Sequence, residues 1–249
     1  MNKDIILIFG GDGKIAQAIV RKYLDLNCLV IAVDKKEKND NEEFTKNENY
    51  HYFSIDITSV DELTDLYNKL HNKFGYINHI ISAAAKVFPT DNNGIYDLSF
   101  DDINYSVKLN LIAHIYISKI FLPLLNSSNS SNKSITFISS VNALKSLGLP
   151  VYSACKSGIF GLVNSSVKVL GKNNIRINSI IPGTVVTHED IEQKTDIRFY
   201  DDNFNALKNM IALENFAFPE DISDSLYSIT HITKAITGQN IVIDSGQLS

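Results

Sequence analysis

Short apolar runs alternate with longer stretches in which apolar residues recur every three or four positions. The runs DIILIFG (4–10), CLVIAVD (28–34), YHYFSID (50–56), INHIISA (77–83), SITFISS (134–140), IRINSII (175–181) and QNIVID (239–244) are rich in Ile, Val and Phe and lack strict alternation. That pattern predicts strands covered on both faces. The stretches 14–26, 59–74, 99–125, 151–171 and 219–230 read as helices. Strand followed by helix, repeated along the chain, predicts an α/β architecture with a parallel sheet and helices on both sides. No internal repeat or compositional break marks a second domain, so residues 1–249 read as one. The polar stretch around 187–215 has no strand, and a connection this long inside a domain reads as a lid or substrate loop.

Composition narrows the classes. The chain is 44% hydrophobic and 20% charged, ordinary for a globular protein, with net charge −5. Without a basic surface, a nucleic-acid partner is not expected. No consecutive apolar run approaches the ~20 residues of a membrane helix, and the apolar start is too short for a signal peptide. No membrane partner is therefore expected. Cys28 and Cys155 are the only cysteines, each in a segment that reads as buried. They fit a reducing cytoplasm, with no disulfide frame and no zinc-type spacing, so no metal is expected. The N-x-S triplets at Asn126, Asn129 and Asn132 read as a polar loop.

Candidate chemistry gathers at the carboxyl ends of the strands. Gly10, Gly11 and Gly13 lie between the first strand and first helix, in FGGDGKIAQAI. Helix N–H groups could receive a dinucleotide pyrophosphate there, near Gly10, Asp12, Gly13, Lys14 and Ile15; the alternative is a plain tight turn. Asp34 ends the second strand eighteen residues past Ala16, where a carboxylate accepts from ribose hydroxyls and repels a 2′-phosphate. That favours NAD, while Lys35 and Lys36 keep NADP possible. Asp56 and Ile57 could meet the adenine, or DIT (56–58) could merely open a helix. Ala83 and Ala84, in SAAA, leave room for a flat ligand or simply pack under a helix.

Tyr152 and Lys156 lie four residues apart in a helical stretch and so share a face. A lysine beside a phenol favours the phenolate; moving a tyrosine pKa from ~10 to ~7 takes about 4 kcal/mol, which the ammonium and an oxidised nicotinamide together could supply. A phenol so tuned exchanges protons near neutrality, and the Ser140 hydroxyl could donate to a substrate oxygen. Alone, Tyr-x-x-x-Lys is a common accident.

The order SS…YSACKSG, the glycine turn, Asp34, DIT, KLNL (108–111), INSIIPGTVVT (177–187), PEDIS (219–223) and ITGQNIVIDSG (236–246) resembles the short-chain dehydrogenase/reductase family over essentially the whole chain. The resemblance implies a Rossmann doubly wound parallel sheet of about seven strands. It also implies NAD(P)-dependent interconversion of a hydroxyl and a carbonyl on a small-molecule alcohol or ketone. By the same resemblance Tyr152 is the general acid/base. Lys156 lowers its pKa and holds the nicotinamide ribose. Ser140 orients the substrate oxygen, and the backbone at Asn110 helps hold a relay water. Val185 and Thr187 contact the carboxamide. Homotetramers or homodimers through 99–125, 151–171 and the last strand are implied too.

Several positions depart from the family pattern. Phe9, Lys14 and Ala16 replace usual residues of the glycine turn, and SAAA replaces Asn-Asn-Ala-Gly. Ser140 and Tyr152 stand twelve apart, one fewer than usual. Expected pocket walls are Val141, Asn142, Leu147, Leu149 and the segment 86–88. Rival readings are a non-catalytic dinucleotide-binding scaffold or sensor and a sugar-nucleotide epimerase or dehydratase, the latter suggested by the glycine spacing.

Overall fold

Each expected strand forms, usually one or two residues shorter than its apolar run. In a computed structural model they are β1 (Ile5–Phe9), β2 (Leu29–Asp34), β3 (Tyr50–Ser54), β4 (His79–Ser82), β5 (Lys133–Ile138), β6 (Ile175–Pro182) and β7 (Asn240–Ile243). The structure describes residues 3–37, 42–145, 147–193, 206, 208–213 and 215–249. The strands make one sheet in the order β3-β2-β1-β4-β5-β6-β7, and every neighbouring pair is parallel.

The period-2 pleat explains why the runs lack alternation. Ile5, Leu7 and Phe9 of β1 point into one apolar layer, whereas Ile6 and Ile8 point into the other. The first layer is roofed by α3 (Val60–Phe74), α5 (Ala113–Asn126) and α6 (Pro150–Gly171) through Leu63, Leu66, Phe121 and Ile159. The second is roofed by α1 (Lys14–Asp25) through Ile19 and Tyr23 and by α8 (Pro219–Tyr227) through Ile222 and Leu226. Each buried Leu or Ile contributes about 1.5–3 kcal/mol relative to exposure. Short helices α2 (Glu42–Thr45) and α7 (His188–Gln193) were not expected from the sequence.

The expected helix 99–125 is a composite. α4 (Phe100–Val107) and α5 are joined by a π-helical turn, Lys108–Ile112. Phe100–Asn126 is a 27-residue helical stretch with a window of mean hydropathy 1.3, long and apolar enough by length and composition to cross a membrane although it holds no consecutive apolar run of that length. Ala113, Ile117, Phe121, Leu124 and Leu125 are buried in the first layer. The expected strand at 134–140 ends at Ile138, leaving Ser140 to cap a single 3-10 turn, Val141–Ala143, by accepting from Asn142 N–H.

β1 leads to β2 on one side and has β4 on its other side, so the chain's winding reverses between β1 and β4. Loops leaving two adjacent strands in opposite directions open a crevice at the carboxyl ends of the sheet.

Candidate active site

The glycine turn is shaped by close packing. Gly10 has φ +81°, and a Cβ there would lie 2.5 Å from Ala84 N. A Cβ on Gly11 would lie 2.8 Å from Ala32 Cβ. Gly13 differs: a Cβ there would meet only Gly10 O, at 3.5 Å, so its outer face is open. Two adjoining cavities share Gly10, Gly13 and Ala83. The larger, about 410 Å³, is also walled by Asp34, Asp56, Ile57 and Ala84. The smaller, about 250 Å³, is walled by Lys14, Ile15, Val185 and Thr187. Most expected cofactor-binding residues thus face one continuous cleft of ligand size.

Asp12 stands apart. Its N–H donates to Asp34 Oδ2 at 3.1 Å, and its carboxylate pairs with Lys36 at 3.1 Å. Lys35 pairs with Asp56 at 2.8 Å. Asp56 also accepts from Thr58 N–H and Oγ1 just before α3, whose cap is Ser59. Lys14 reaches away from the turn to Asp190, whose own backbone and carboxylate are tied to Thr187. These contacts hold the Asp190 carboxyl well below the usual carboxylate range, against its burial.

Tyr152 and Lys156, carried by α6, and Ser140 do not line either cavity; their link to the cleft is Ile138, which walls the smaller cavity and accepts from Lys156. Lys156 is buried, and its Nζ donates to Ile138 O at 2.8 Å, lying 5.5 Å from the centre of the Tyr152 ring. Burial pushes the ammonium down to about 8. Burial also pushes the Tyr152 phenol up to about 12, while the nearby Ser140 hydroxyl pulls the other way. Burial is thus the largest influence on the phenol, while the sequence reading relied on the ammonium acting together with an oxidised nicotinamide. Asn110 sits in the π turn. Its Oδ1 accepts from Lys86 N–H at 2.9 Å and its Nδ2 donates to Lys86 O at 2.9 Å, pinning the end of the alanine segment to the helix. π turns recur at functional sites.

The start of α6 depends on a residue the sequence did not reveal. Leu149 precedes the helix with φ +59° and offers no side-chain cap. The carboxylate of Asp91, 2% exposed, accepts from Val151 N–H at 3.0 Å and Tyr152 N–H at 2.9 Å. Two orphan donors of the first turn are thereby satisfied from a segment sixty residues away.

A model of the short chain dehydrogenase family matches residues 4–197. The chain belongs to this family. Carbonyl reductase family member 4 of Xenopus laevis is 24% identical over 243 residues, covering 97% of each chain. The 7alpha-hydroxysteroid dehydrogenase of Bacteroides fragilis is 24% identical, covering 97% of this chain and 93% of that one. The crystal structure of a short chain dehydrogenase from Leptospira borgpetersenii with bound NAD+ superposes with a TM-score of 0.85 at 20% identity, covering 100% and 94% of the two chains. That likeness shows the shared fold.

At SAAA, where the chain departs from the family pattern, the end of β4 is tied to a helix. Ser82 Oγ lies 2.6 Å from Nδ1 of buried His114, joining the end of β4 to α5. Burial and the Lys156 charge push the His114 imidazole down to about 3, so it is a neutral hydrogen-bonding group. Among the expected pocket walls, Lys86 stands over the Phe88 ring at 5.1 Å, and Asn142 Oδ1 accepts from Ser140 Oγ at 3.1 Å. His188 stacks on Phe218 with ring centres 4.4 Å apart. The expected substrate loop falls partly outside the described residues, at 194–205, 207 and 214.

Proposed function

We propose that the chain is an NAD-linked oxidoreductase that interconverts a hydroxyl and a carbonyl group on a small alcohol or ketone. The observation that carries this reading is the convergence of Tyr152, Ser140 and Lys156 at the carboxyl end of the sheet, beside a cleft that begins at the open face of Gly13. The cleft fits a dinucleotide: its glycines leave backbone bare where phosphates need it, and its far end carries a carboxylate. A bound nicotinamide supplies or accepts the hydride. Tyr152 donates or removes the hydroxyl proton. Ser140 Oγ–H donates to the substrate oxygen as charge develops there. Lys156 holds a positive charge beneath the phenol, and Asn110 keeps the segment above the cleft in place.

NAD is favoured over NADP by Asp34. Lys35 and Lys36, the cations that could attract a 2′-phosphate, are each paired with an acid. A phosphate about 4 Å from the Asp34 carboxylate meets a repulsion of about 4 kcal/mol per unit charge at an effective dielectric of about 20. Assembly as a dimer or tetramer belongs to this reading, supported by exposed Ile115, Val169 and Val242 on the surfaces named above.

The test is to titrate NADH and NADPH against the protein, then screen alcohols and ketones for change in reduced nicotinamide. Saturable NADH binding tighter than NADPH, followed by turnover, supports the proposal. Binding without turnover of any substrate would favour a scaffold or sensor. Tightly held NAD that shows no net redox change would favour an epimerase.

A further inference from the structure

The amino-terminal end of the sheet, opposite the cleft, holds a second cluster. We propose that Asp4, His79 and His231 bind a divalent cation of the zinc class. The three side chains each offer one ligand atom, and these lie within 4.8 Å of one another. They come from the residue before β1, the first residue of β4 and a π-helical turn after α8, Ser228–Ile232. Ligands this far apart in sequence leave no local spacing, which is why none was expected.

The hydrogen bonds aim the imidazoles. His79 is 0% exposed; its Nδ1 lies 2.8 Å from Ser134 Oγ, and among the described residues its Nε2 has no hydrogen-bond partner. His231 Nδ1 lies 2.8 Å from Thr230 Oγ1. Thr230 Oγ1 also donates to Leu226 O at 2.9 Å and lies 2.6 Å from Tyr23 Oη. His231 Nε2 faces Asp4 Oδ2 at 3.4 Å. A proton on His231 Nε2 satisfies that pair but not the buried Nε2 of His79. One metal ion satisfies all three.

The donor set suits zinc. Two neutral imidazoles and a carboxylate leave a fourth tetrahedral position for water. Hydroxyl partners on both Nδ1 atoms are the outer-shell contacts that orient ligating histidines. Donors around one zinc stand about 3.3 Å apart, so the present cluster, within 4.8 Å, must close by up to about 1.5 Å. The movable members are the exposed ones: the Asp4 side chain is 38% exposed and that of His231 is 15% exposed, which also gives the ion a path inward. The charge of Arg176 opposes binding, but its guanidinium is held by the carbonyls of Ile229, Thr230 and Ile236.

The test is a competition titration of the chelator-treated full chain with Zn2+, and the absorption spectrum of its Co2+ form. The parent is expected to take one ion per chain, to show the intense bands of four-coordinate Co2+, and to melt at a higher temperature with zinc. Asp4→Asn and His231→Gln, at partly exposed positions, should each weaken binding by about 100-fold or more, beyond the 10–100-fold typical of outer-shell changes. His71→Gln, at an exposed histidine elsewhere, is the control and should change nothing. Absence of saturable binding by the parent, or unchanged affinity in both variants, overturns the proposal.

Discussion

Lys156 sets a conflict between stability and chemistry. Burial lowers its pKa from 10.5 to about 8, so the folded chain binds that proton less tightly than the unfolded chain. Below pH 8 the fold bears the cost of a buried charge, about 3 kcal/mol. Between pH 8 and 10.5 the unfolded chain holds more protons, so stability contributed by this site rises with pH. Lys156→Met keeps the stem volume and removes the charge. At pH 7 it recovers up to about 3 kcal/mol but leaves Ile138 O without its 2.8 Å donor, a loss of about 1–3 kcal/mol. The net at pH 7 is therefore between neutral and stabilising. The sharper quantity is the difference between parent and variant as pH changes. From pH 7 to pH 10 the parent should gain about 2 to 3 kcal/mol on the variant. The raised Tyr152 pKa acts in both chains above pH 10 and cancels. Urea denaturation at pH 7, 8, 9 and 10 measures this, and turnover should fall at least 100-fold in the variant. Parallel stability curves over that range would refute the buried-charge account of Lys156.

Three other substitutions probe the site. Asp91→Asn replaces one acceptor oxygen over the start of α6 with an amide nitrogen; it should cost about 1–3 kcal/mol in denaturant titration and lower kcat more than dinucleotide affinity. Gly13→Ala, whose Cβ meets only Gly10 O at 3.5 Å, should leave stability within about 0.5 kcal/mol while weakening NADH binding in a fluorescence titration. Asp34→Ala removes the carboxylate that would face a 2′-phosphate, and the ratio of NADPH to NADH affinity should rise at least tenfold by the same titration.

The fold was readable because buried parallel strands write themselves as unbroken Ile- and Val-rich runs, and helices as wider spacing. Edges were misjudged where a run continued past its ladder: Ser139 and Ser140 extend the β5 run in sequence, but the strand stops at Ile138. The π turn around Asn110 left no mark, since a single extra residue in one turn is hidden within a spacing of three to four. In the site, residues four apart on one helix, such as Tyr152 and Lys156, were visible together. Asp91 was not, because it acts on α6 from a separate 3-10 turn, Pro89–Asn93. The Ser82–His114 tie was read only as a missing asparagine, since its partner lies thirty-two residues on. The burial of the Tyr152 phenol was not legible, because sequence spacing carries no measure of desolvation.

Proton transfer by Tyr152 is tested by Tyr152→Phe, which removes one oxygen and little else. Turnover of the best substrate and NADH affinity should be measured on the same preparation. Loss of at least 100-fold in kcat with NADH affinity unchanged is the expected result. A variant that turns over as fast as the parent would contradict the assignment of Tyr152 as the proton-transferring group.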